Sequence, residues 1–152
     1  MNLQITDVPL PVRMTFDTPL TDEELQRFSE RNDVVWIERE AVGTLYAKPI
    51  WDTLNGGRGT DVNFALHVWA ETDGRGTCCG GSGWLLPDGS MRGPHVSWVL
   101  KERLATRSKK ELKGFAKLSP DFIVADFERP VIAIAADECD ICVRPVSLHS
   151  LR

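Results

Sequence analysis

Leu86-Pro87-Asp88-Gly89-Ser90, running on to Gly93-Pro94-His95-Val96-Ser97-Trp98-Val99, sets a turn signal directly before a β-prone run. Proline pre-sets the backbone angle of a turn and glycine supplies a positive one, so Pro87-Asp88-Gly89 predicts a tight reversal between two β segments. Those segments are Gly83 to Leu86 and Ser90 to Val99, with a third, Thr77 to Gly80, before them.

Upstream, Asn55-Gly56-Gly57-Arg58-Gly59 reads as a loop leading into Thr60 to Glu71, where Val62, Ala65, Leu66 and Trp69 recur at helical spacing. An amphipathic helix packed on the sheet is expected, ended by Asp73-Gly74 and Gly76. Glycines ahead of a helix can hold a phosphate on backbone N–H groups, but no P-loop Lys-Ser/Thr pair follows, and a plain flexible connection fits better. Further back, Thr21 with Glu24 has the form of a capping box, and predicts a short helix from Asp22 to about Arg31 that buries Leu25 and Phe28. Val34 to Arg39 and Thr44 to Lys48 flank Val42-Gly43 as a hairpin, which puts Trp36 and Glu38 on one strand face.

Downstream, Lys101 to Leu112 reads as a second, basic helix and Phe122-Ile123-Val124-Ala125 as a buried strand. Val131 to Ala135 and Ile141 to Val146 predict a terminal hairpin closed by Ala136 to Asp140. The five tryptophans, Trp36, Trp51, Trp69, Trp84 and Trp98, are mostly core candidates by periodicity.

The 152 residues, 42% of them hydrophobic, suit one domain, with 1–20 as an extended arm and 131–146 as a closing hairpin. Eighteen basic against 22 acidic residues give a charge of −4, so no global positive field draws in nucleic acid. DNA contact would be local, through Lys101, Arg103, Arg107, Lys110 and Lys113, residues that read first as a solvated helix face. No apolar run is long enough for a membrane span, and Met1 to Met14 lacks the pattern of an export leader. The expectation is a cytoplasmic chain whose Cys78, Cys79, Cys139 and Cys142 are reduced thiols.

Three stretches taken together resemble one family. Trp36-Ile37-Glu38-Arg39-Glu40-Ala41 with Gly43-Thr44-Leu45 is the first, and the Leu86 to Val99 stretch is the second. Leu118-Ser119-Pro120-Asp121-Phe122-Ile123-Val124 is the third. In that order they resemble the Uma-two-type restriction endonuclease family of the PD-(D/E)XK nuclease superfamily, over roughly Asp22 to Val124. The resemblance implies an α/β (α+β) domain with a restriction-endonuclease-like central mixed sheet flanked by helices. It also implies phosphodiester hydrolysis with Mg²⁺ or Mn²⁺ as cofactor.

Mg²⁺ is a hard cation that needs converging anionic oxygens. Where the family has an Asp after the Pro of the S-W-V strand, this chain has His95; where its second acid stands, this chain has Ala125, and Asp126-Phe127 replaces the rest of the E-x-K element. Glu38 matches the acid of the first strand and survives. The candidate site is therefore Glu38, His95 and Asp126, with Glu38 and His95 as metal ligands; Asp126 reaches the cleft only if a bulge re-aims it. The family's helix after the catalytic strand is also missing, since only Glu128-Arg129-Pro130 precedes Val131. A parallel crossover needs a dozen residues or more. The final hairpin must then pair antiparallel with its predecessor, bend onto another edge, remain poorly packed, or be unrelated sequence such as a frameshift produces.

Three functions follow. One is a family member with lost or much reduced cleavage; another is an active enzyme with a rearranged site of Glu38, Asp126 and a basic residue such as Lys101 or Arg129. The third is a module stabilised by Zn²⁺ on Cys78, Cys79, Cys139 and Cys142, against which stands the divergence of adjacent side chains on a strand. An edge left uncovered by the lost helix favours a homodimer.

Overall fold

The computed structural model describes residues 4–6, 8–50 and 52–124, together with the backbone of 131–135 and 141–145. The elements are β1 (Val12–Met14), α1 (Asp22–Arg31), β2 (Val35–Arg39), β3 (Leu45–Pro49), α2 (Thr53–Asp73), β4 (Gly76–Gly80) and β5 (Trp84–Leu85). They continue with β6 (Met91–Arg92), β7 (Val96–Leu100), α3 (Lys101–Ala105), β8 (Phe122–Val124), β9 (Val131–Ala135) and β10 (Ile141–Pro145). The architecture is α+β, but in place of the expected single central mixed sheet it has two five-stranded sheets, ordered β1-β3-β2-β6-β5 and β10-β9-β8-β7-β4. Every ladder among the described residues is antiparallel; the one parallel contact is a bridge between Trp84 and Ala116.

Helix α1 starts where its capping box predicts. The Glu24 N–H donates to Thr21 Oγ1 at 3.3 Å and the Thr21 N–H donates to Glu24 Oε2 at 2.9 Å, so two donors at the helix start are satisfied reciprocally. Leu25 and Phe28 are buried and join Val35, Ile37, Leu45, Ala47, Leu85 and Met91 in the core under the first sheet. The β2–β3 hairpin closes through Gly43 at φ 90°, whose N–H donates to the Glu40 carbonyl at 2.8 Å. The Pro87-Asp88-Gly89 turn forms too, with the Gly89 N–H on the Leu86 carbonyl at 3.0 Å and the Ser90 N–H on Asp88 Oδ1 at 2.8 Å.

Ser90 to Val99 is not one strand. It breaks at Gly93-Pro94, where proline has no N–H for a ladder, and the chain passes from β6 in one sheet to β7 in the other. This step puts His95 at the junction of the two sheets.

Two helices differ from expectation. The Asn55 to Gly59 loop is instead the first part of α2, because Asp52 caps the helix by accepting from the Asn55 N–H at 2.8 Å. The glycines are thus inside a helix, and no glycine-rich phosphate loop precedes one. Its inward face carries buried Gly59 and Ala70, while Trp69 is exposed, against its expected core role. The basic helix is only α3: Thr106 Oγ1 turns back onto the Arg103 carbonyl at 2.7 Å, and Ser108 opens a separate turn with Glu111. Trp84 and Trp98 are buried as expected, Trp36 is half-buried, and Trp51 lies outside the described residues.

The arm contributes β1, which pairs with β3. At the other end β9 pairs antiparallel with β8, Phe122 opposite Ile134 and Val124 opposite Ile132, and β10 pairs antiparallel with β9. Of the arrangements open to a chain without the crossover helix, this is the antiparallel one. No helix among the described residues is long and apolar enough to cross a membrane.

Candidate functional site

Glu38 sits on β2, in the middle of the first sheet, where Val35, Ile37 and Arg39 point into the core and Trp36 and Glu38 share the other face. Its side chain is 15% exposed and is held from three sides. Lys48 Nζ lies 3.2 Å from Oε1, Arg92 Nη1 3.6 Å from Oε2, and the Gly93 N–H donates to Oε1 at 3.4 Å. Lys48 comes from β3, whose register sets it opposite Trp36 and diagonal to Glu38. Arg92 arrives with β6 on the opposite side of β2.

His95 follows two residues after Gly93. Its N–H donates to the Val124 carbonyl at 3.0 Å, its carbonyl accepts from Gly81 at 3.1 Å, and its half-buried ring lies 6.4 Å from that of Trp36 at 47°. Gly93 is packed so closely beneath Trp36 that an added Cβ would lie 2.5 Å from Nε1. Trp36, Ser29, Ile37, Gly81, Gly93 and Phe115 help to line a small cavity of about 110 Å³ beside this junction. The structure therefore brings Glu38 and His95 to one locality, joined through Trp36 and Gly93. Asp126 and Ala125 lie outside the described residues, two and one positions beyond Val124, which is paired with Val96.

Chemically, this is a carboxylate compensated by two cations. A hard divalent ion entering here would have to displace Lys48 and Arg92 before gaining one anionic oxygen pair, and an imidazole is a poor Mg²⁺ ligand. Among the described residues no three His, Cys, Asp or Glu side chains are grouped to hold a metal ion. The described residues at this site, Glu38 with Lys48 and Arg92 on it and His95 beside it, do not fit Mg²⁺. The chain matches no protein-family model and no curated protein.

The other expected partners separate. Cys78 and Cys79 lie on β4 and Cys142 on β10, the opposite edges of the second sheet, roughly 19 Å apart at ~4.8 Å per strand, too far to share one ion. Cys139 lies outside the described residues. Of the basic residues, Lys101 Nζ donates to the Gly74 carbonyl at 2.9 Å and Arg103 pairs with Asp121. Asp121 also accepts from the Leu100 N–H at 2.9 Å, so it anchors the start of α3. Arg107, Lys110 and Lys113 are exposed on the turns after α3 rather than along one helix face.

Lys48 and Arg92 carry no motif that marks them as neighbours of Glu38. Lys48 was accessible: in a β2–β3 hairpin it falls on the same face as Glu38. Arg92 was not, because it depends on the non-local pairing of β2 with β6.

Proposed function

We propose that this chain is a divergent PD-(D/E)XK nuclease relative of Uma-two type in which metal-dependent DNA cleavage is lost or much reduced. The observation that carries the reading is the neutralisation of Glu38, the surviving family acid, by Lys48 and Arg92. The adjacency of β7 and β8 supports the lineage, since the two motif strands that carry acids in that superfamily are neighbours here. Replacement of those acids by His95 and Ala125 supports the loss. Any DNA contact falls to the exposed Arg107, Lys110 and Lys113, with binding that weakens as salt rises.

The test is incubation of purified protein with plasmid and single-stranded DNA in Mg²⁺ or Mn²⁺, against a chelator control. No metal-dependent cleavage is expected. Nicking that needs metal and disappears in Glu38→Ala overturns the proposal in favour of an active site built on Glu38 and Asp126. Installing His95→Asp with Ala125→Glu is expected to raise Mn²⁺ affinity above that of the parent protein in calorimetry.

A further inference from the structure

Helix α2 carries apolar side chains on the side turned away from the sheet. Leu54 is 76% exposed, Phe64 69% and Val68 49%, and Trp69 beside them is 47% exposed even though its ring meets that of Trp98 at 5.4 Å. At ~100° per residue Leu54, Phe64 and Val68 fall within about 80° of one another, opposite the buried Gly59 and Ala70. Gly57 lies on the same outward face, and an added Cβ there would meet nothing within 4 Å. The face thus has a ridge of large residues and a hollow, with Arg58 and Asp61 exposed next to it.

We infer that this face is the interface of a homodimer in which α2 packs antiparallel on α2 of a second copy, about a two-fold axis at Asp61. Antiparallel pairing about residue 61 sets Leu54 against the second copy's Val68 and Phe64 against its Gly57 and Arg58. The largest exposed ring is then seated over the position without a side chain. The two Asp61 carboxylates meet across the axis, and each lies within one helical turn of the second copy's Arg58, so symmetry sets two guanidinium groups beside the two acids and offsets their repulsion. The exposed apolar surface of the four side chains is on the order of 450 Å² per copy, and two copies together approach the ~1,000 Å² at which specific interfaces begin. A lipid surface is the poorer match: interfacial helices carry Lys and Arg on their polar side, whereas α2 has Arg58 against Asp61, Glu71 and Asp73.

Sedimentation velocity over a concentration series tests this on the full chain. The wild type is expected to dimerise, and Phe64→Glu to remain monomeric with an unchanged circular dichroism spectrum, because Phe64 makes no core. Asp61→Arg is expected to weaken association about tenfold through like charge at the crossing, and Arg58→Asp combined with Asp61→Arg to restore it. A wild type that stays monomeric throughout overturns the inference, as does a dimer that survives Phe64→Glu. Sedimentation of the wild type with phosphatidylcholine–phosphatidylglycerol vesicles, in place of self-association, overturns it as well.

Discussion

Arg39 Nη2 lies 2.6 Å from Asp22 Oδ1, tying the centre of the first sheet to the first residue of α1. The Arg39 side chain is only 8% exposed, and it also donates through Nε to the Gly89 carbonyl at 2.9 Å and through Nη1 to the Leu20 carbonyl at 3.1 Å. One guanidinium therefore fastens a helix start, the Pro87-Asp88-Gly89 turn and the end of the arm. Removing it leaves those acceptors facing one another across a gap, and Arg39→Ala is expected to cost about 3 kcal/mol in urea unfolding. Lys117, whose Nζ lies 2.7 Å from Asp22 Oδ2 but whose side chain is mostly exposed, is expected to cost less than ~1 kcal/mol when changed to alanine.

The same carboxylate makes stability depend on acid. The hydrogen bond from Lys117 holds the Asp22 carboxyl below its ordinary pKa, with Arg39 adding to the effect and partial burial opposing it. A carboxyl depressed in the folded state binds fewer protons there than in the unfolded chain. Its stabilisation is present above the ordinary aspartate value, about 4, and is lost as pH falls through the lower folded value. The stability gap between wild type and Asp22→Asn is therefore expected to be widest at neutral pH and to close as pH falls below about 4. A gap that stays constant in chemical denaturation down to acid pH would count against the pair.

What the sequence made legible was local. The Thr21–Glu24 box, the Gly43 turn and the Pro87-Asp88-Gly89 turn each satisfy their own backbone groups within a few residues, and each forms where the pattern places it. The extent of α2 was illegible because its glycines, each about 1 kcal/mol worse than alanine in a helix, outvote Asp52 in a reading of composition. The break at Gly93-Pro94 depends on a sheet change that spacing does not encode. At the candidate site, Glu38 and His95 are singled out by motif order, while the cations on Glu38 come from pairings across the sheet.

Two glycines, one in the first turns of α2 and one just after its end, should respond to alanine with opposite signs. A Cβ at Gly76 would lie 2.1 Å from Trp98 Cε2, within a ring that is itself packed against Trp69, so Gly76→Ala is expected to destabilise by about 1–3 kcal/mol. Gly56 is inside the first turns of the helix, with nothing within 4 Å of an added Cβ. Gly56→Ala is expected to stabilise by up to ~1 kcal/mol. Thermal melts of the two variants check both, and no gain at Gly56 would mean that the helix does not begin at Thr53.

The thiols of β4 give a last discriminating measurement. Burial raises the pKa of both Cys78 and Cys79, and for Cys78 the neighbouring Cys79 and Glu71 raise it further. Less thiolate at neutral pH means slower attack on a disulfide reagent. In a Cys139→Ser, Cys142→Ser background, reaction with Ellman's reagent is expected to be slower than in denaturant and to accelerate as pH rises. Cys79, which packs against the core of Trp84, Val99, Ala116 and Leu118, is expected to react last. A zinc-bound thiol behaves in the opposite way, being deprotonated by its metal and exposed by a chelator. Acceleration by a chelator in the wild type would therefore indicate thiolate ligation to a metal, which requires a set other than one joining the β4 cysteines to Cys142 on β10.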